Sequence, residues 1–77
     1  MGFGASDLQR AERSVELAQA QVDRQRRILA LLTYEGYSNV MAQELLAELE
    51  RALAQTRLHR DLVGAAISRA PRRELWS

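Results

Sequence analysis

The stretch Tyr34-Glu35-Gly36-Tyr37-Ser38-Asn39 decides how this 77-residue chain folds, because it interrupts a long helical pattern with residues suited to a reversal. Gly36 tolerates the left-handed backbone conformation that closes a helix C-terminus, and nothing beside it does so at low cost. Ser38 or Asn39 can then cap a second helix, with Gln43 and Glu44 early in it and the carboxylate near the positive end of the helix dipole. A turn of two or three residues gives neither helix room to travel. The two must lie side by side and antiparallel.

Upstream of the turn, Leu8, Ala11, Val15, Ala18, Val22, Gln25, Leu29 and Leu32 follow the alternating three- and four-residue spacing of a coiled-coil seam, with Gln25 its one polar member. Ser6 can accept from the free amides of the first turn while Gln9 reaches back, a capping box that predicts a helix over residues 6–35. A lone polar residue in such a seam fixes register or oligomer state, so Gln25 is expected to bond to Thr56 or to its own symmetry mate. Downstream, Ala42, Leu45, Leu49, Ala52, Thr56, His59, Val63, Ala66 and Ala70 form the matching seam of a helix over residues 39–69. Pro71 ends it, since the ring lacks an amide donor and forces the preceding residue out of helical geometry. The chain divides into a flexible leader (1–5), a helical hairpin (6–70) and a loose C-terminal tail (71–77).

In a hairpin turning at Gly36-Tyr37, residues whose numbers sum to about 74 stand level. That places Arg24 and Arg26 opposite Glu50 and Glu48, Arg13 opposite Asp61, Glu16 near Arg57 and Asp7 near Arg69. Each exposed pair contributes only about 0.2–1 kcal/mol, but together they favour the antiparallel register.

Each helix also carries apolar residues beyond one seam. Leu17, Ile28 and Leu31 flank the first; Leu46, Leu53, Leu58, Leu62 and Ile67 flank the second. Two helices hide only a narrow stripe, so the surplus asks for a cover. The sequence therefore predicts an all-α protein, an antiparallel two-helix hairpin completed to a four-helix bundle by dimerisation, or docked on a larger protein. The expected partner face is Leu17, Ile28, Leu31, Leu53, Leu58 and Leu62.

Composition agrees. A chain this short usually needs a staple, and with no cysteine and one histidine neither a disulfide nor a zinc site is available. A partner chain remains. Eleven arginines without lysine against ten carboxylates give a net charge of +1, well short of the basic excess of a dedicated nucleic-acid binder. No apolar run approaches the roughly 20 residues that span a bilayer, and no secretory signal opens the chain, so a cytoplasmic location is expected. Met1-Gly2-Phe3-Gly4-Ala5-Ser6 fits the N-myristoylation pattern, which is short and common by chance.

Other residues invite chemistry. His59 beside Asp61 suggests an oriented base, but adjacent helix positions point in different directions and no nucleophile or second histidine accompanies it. Glu44, Glu48 and Glu50 lack the Glu-x-x-His companion of di-metal bundle sites. Gly64-Ala65-Ala66, with Ser68 and Ala70, permits close helix approach. Arg24, Arg26, Arg27, Arg72 and Arg73 form the alternative reading, a small regulator contacting nucleic-acid phosphates. Tyr34, Tyr37, Val40 and Met41 gather at the hairpin tip, with Phe3 and Trp76 near the opposite end, and Tyr34, Tyr37 and Met41 offer a second contact surface. Nothing in the sequence asks for a cofactor or metal.

Ala11-Glu12-Arg13, Arg24-Gln25-Arg26, the turn at Gly36, Ala42 with Leu45-Leu46, and His59-Arg60-Asp61 together resemble a group of short uncharacterised alphaproteobacterial proteins. The resemblance spans residues 11–63. It implies two helices, with Arg-Gln-Arg in the first and His-Arg-Asp near the end of the second, and a bacterial origin. It carries no activity with it. At the tip Tyr34 and Tyr37 stand where the group has charged and histidine-type residues. The expected function is that of a non-enzymatic interaction module or small accessory subunit.

Overall fold

The computed structural model describes residues 3–69, which form two α-helices, α1 (Ala5–Tyr34) and α2 (Val40–Arg69), packed against each other. Each has 30 residues, or about 45 Å of helix. The described residues contain no strand. The expected tail, with Pro71, Arg72, Arg73 and Trp76, lies outside the described residues, as do Ala70, Met1 and Gly2.

α1 starts one residue earlier than Ser6 predicts, inside the expected leader. Gly4 occupies the cap position, its carbonyl accepts from the Asp7 and Leu8 amides, and the Asp7 carboxylate accepts from the Gly4 amide at 2.8 Å. Asp7 therefore makes the reach-back bond expected of Gln9. A charged acceptor gives the stronger hydrogen bond, and its negative charge suits the positive helix end.

The turn forms as the sequence implies. Gly36 has φ of 78°, its amide donates to the Thr33 carbonyl, and the Tyr37 amide donates to the Leu32 carbonyl, the two bonds of a Schellman closure. The Asn39 carbonyl accepts the first helical hydrogen bond of α2, donated by the Gln43 amide. A side-chain latch crosses the tip as well. Asn39 Nδ2 donates to Thr33 Oγ1 at 2.7 Å, Thr33 in turn donates to the Leu29 carbonyl, and Gln43 Nε2 donates to Asn39 Oδ1.

The core is a single seam. On α1 the eight predicted positions are all buried or half-buried, with Ala11, Val22 and Gln25 deepest. On α2 the seam differs from the expected one at three rungs: Leu46, Leu53 and Arg60 turn inward in place of Leu45, Ala52 and His59, while Ala42, Leu49, Thr56, Val63 and Ala66 hold their places and Ile67 is half-buried beside Ala66. Both sets satisfy the three-four spacing. Side-chain size separates them, because burying Leu53 rather than Ala52 removes three more carbons from water, about 2 kcal/mol at about 0.8 kcal/mol per carbon. Arg60 occupies the remaining rung half-buried, its guanidinium extended to Asp61 at 3.0 Å. At the base Leu8 lies against Gly64, close enough that a Cβ there would sit 3.8 Å from Leu8 Cδ1.

Leu53 is thus a core residue, only 5% exposed, and not part of a partner face. Gln25 is also accounted for within one chain. Its Nε2 donates across the seam to the Ala42 carbonyl at 3.0 Å, whereas Thr56 turns its hydroxyl back to the Ala52 carbonyl. A threonine inside a helix can satisfy its own hydroxyl on the preceding turn, which removes it as a partner.

Candidate protein interface

The seam leaves two long sides of the hairpin exposed, and they differ in character. One is a polar ladder. Arg57 Nη2 donates to Gln19 Oε1 at 2.6 Å, Gln19 Nε2 donates to Asp23 Oδ1 at 3.1 Å, and Arg26 lies 3.9 Å from Asp23 and 3.4 Å from Glu50. Gln19, Arg26, Glu50 and Arg57 each follow directly on a seam residue, and Arg26 and Arg57 stand seven residues beyond Gln19 and Glu50. The same cross-helix contact therefore repeats one heptad apart.

Of the pairings expected from level residue numbers, only Arg26–Glu50 is of the predicted kind, and it joins Arg26 to a different carboxylate. Arg57 bonds to Gln19 rather than Glu16, Asp7 sits beside Arg10, and Asp61 is held by Arg60. Matching numbers set height along the axis but not the direction a side chain leaves it. Only residues on the rim of the seam reach across.

The other side is open, with large apolar residues exposed among a few polar ones. At 100° per residue, Leu17, Gln21, Arg24, Ile28 and Leu31 share one face of α1, and Met41, Leu45, Glu48, Ala52, His59 and Leu62 share the adjoining face of α2. Ile28 and Leu45 meet here, lining one hollow with Gln21, Arg24, Gln25 and Leu49. A second hollow, lined by Met41, Ala42, Glu44, Leu45 and Glu48, continues from it towards the tip through Leu45. Leu17 and Leu31 are each 59% exposed and Met41 78%. Five of the six expected partner-face residues are exposed: Leu17, Ile28, Leu31 and Leu62 on this side, and Leu58 on its outer margin one helical turn before Leu62.

Leu45 belongs to this surface, although the sequence reading placed it in the seam. The signal that would have found it is the alternative stripe through Leu46, Leu53 and Ile67, which turns Leu45 outward. Tyr34, Tyr37 and Val40 are exposed at the tip beside Met41.

Chemistry elsewhere is sparse. His59 is exposed and shares an open hollow at the base with Phe3, Asp7, Arg10, Ala11, Ser14 and Val63. Within it the Ser14 hydroxyl donates to the Arg10 carbonyl and Asp7 accepts from Gly4, and no hydrogen bond joins either to His59. Among the described residues no group of three His, Cys, Asp or Glu is placed to hold a metal ion, and no helix is long and apolar enough to cross a membrane. The arginines of the nucleic-acid reading do not form one patch. Arg26 is engaged on the ladder side, Arg24 borders the open side, Arg27 is exposed, and Arg72 and Arg73 lie outside the described residues. No protein-family model, curated protein or solved structure matches this chain.

Proposed function

We propose that this chain is a non-enzymatic protein–protein interaction module, a helical hairpin that acts by covering its open apolar side against a protein surface. The observation that supports this reading is the difference between the two sides: one closed by Gln19, Asp23, Arg26, Glu50 and Arg57, the other presenting Leu17, Ile28, Leu31, Met41, Leu45 and Leu62 to solvent. Ile28, Leu45 and Met41 line adjoining hollows on that side, and exposed apolar patches of this kind mark association sites in soluble proteins. The hydrophobic effect supplies the affinity, at about 25 cal/mol for each Å² of apolar surface removed from water.

The test is a pair of tagged chains expressed in the native cell, the natural sequence and an Ile28→Asp/Leu45→Asp variant. Both positions are exposed, so the hairpin should keep its helix content. The natural chain is expected to form complexes, with itself or with other proteins, that the variant lacks. Identical co-purifying sets, with both chains monomeric, would overturn the reading.

A further inference from the structure

We propose that the partner on the open side is a second copy of this chain, related by a two-fold axis parallel to the helices, with the tips together and Arg24 of each copy set on the partner's Glu48. This deepens the interaction-module reading and rests on it.

The charges point to that occupant. Arg24 on α1 and Glu48 on α2 both lie on the open side, both are exposed, and neither makes an ion pair among the described residues. Arg24 lies thirteen residues before Tyr37 and Glu48 eleven after it. Two residues of helix amount to about 3 Å, so the two charges stand at nearly the same height. A two-fold axis along the hairpin sets α1 against the partner's α2 at matching heights and repeats the contact on the other side, so one match of sign becomes two.

The apolar residues agree with that orientation. Ile28 and Leu31 then face the partner's Leu45 and Met41, and every neighbouring pair of helices in the bundle is antiparallel, like α1 and α2 themselves. With the axis turned across the hairpin and the copies overlapping fully, α1 would lie on the partner's α1, and Arg24 would stand level with the Ser14 to Leu17 stretch of that helix and lose Glu48 as its counterpart. The available area also suffices. A side about 45 Å long and two helix widths, about 20 Å, across presents roughly 900 Å², against about 800 Å² per partner in a stable interface.

Sedimentation equilibrium of the purified chain is expected to give twice the 8.7 kDa chain mass at micromolar concentration. Arg24→Glu and Glu48→Arg should each weaken the dimer at least tenfold, since each replaces two attractions by two repulsions, and the double variant should recover to within about threefold. The natural chain has no cysteine, so a Ser38→Cys variant takes one spin label per copy at the tip. Tips together place the labels within about 25 Å, whereas tip-to-base packing separates them by roughly the 45 Å helix length. A monomer at 100 µM, losses that add in the double variant, or the long label distance would each overturn the proposal. A monomer that still forms Ile28-dependent complexes in the cell would do so while leaving the interaction-module reading standing.

Discussion

Replacing Gln25 by leucine should stabilise the hairpin, although it removes a buried side-chain hydrogen bond across the seam. Gln25 is 6% exposed and spends one amide proton on the Ala42 carbonyl. A neutral bond of this kind contributes about 1 kcal/mol net. Its loss leaves no orphan, because the Ala42 carbonyl lies within α2, where the regular helical ladder supplies an amide to it. Leucine of similar volume gains about 2 kcal/mol of apolar burial. The balance is about 1 kcal/mol in favour of the variant, or a melting temperature higher by about 4–8 °C for a domain of this size. Thermal and urea unfolding should be followed by circular dichroism at one fixed protein concentration, since association couples to apparent stability. Gln25→Ala serves as the contrast, losing the bond and leaving a cavity, and should melt well below the natural chain. A leucine variant less stable than the natural protein by 1 kcal/mol or more would refute the reasoning, and would mean that the glutamine holds the two helices in a register that leucine does not.

Leu53→Ala should cost about 2–5 kcal/mol and unfold much of the protein at room temperature, while Leu58→Ala should leave the isolated hairpin nearly unchanged; equal effects in chemical denaturation would contradict the observed α2 seam. Gly36→Ala should destabilise by about 1–2 kcal/mol, because its φ of 78° strains any residue with a Cβ. Gly64→Ala should instead stabilise by about 0.5–1 kcal/mol, since a Cβ there meets Leu8 at ordinary contact distance and alanine favours the helix; a loss on melting would show that Leu8 needs the space. A double-mutant cycle on Arg26→Ala and Glu50→Ala should yield about 0.2–1 kcal/mol of coupling that fades in 1 M salt, and coupling insensitive to salt would point to a buried bond instead.

Much of this fold is legible in local sequence. Gly36 with its short flanks determines the reversal, because a left-handed closing residue is a property of one backbone position. The α1 seam is equally legible, since only one apolar stripe of that helix runs unbroken from Leu8 to Leu32 apart from Gln25. What the tertiary structure decided is rotation about the axis. α2 carries two stripes of equal spacing, through Leu45 or through Leu46, and only packing against α1 selects the one with the larger buried side chains. That single choice moves Leu53 into the core, turns Leu45 and His59 outward, and brings the Ala42 carbonyl to Gln25. It also separates a polar ladder from an open apolar side. Spacing along a chain states height and period, but the direction in which a helix faces its neighbour depends on which surface loses the most water, a quantity that exists only once both helices are in place.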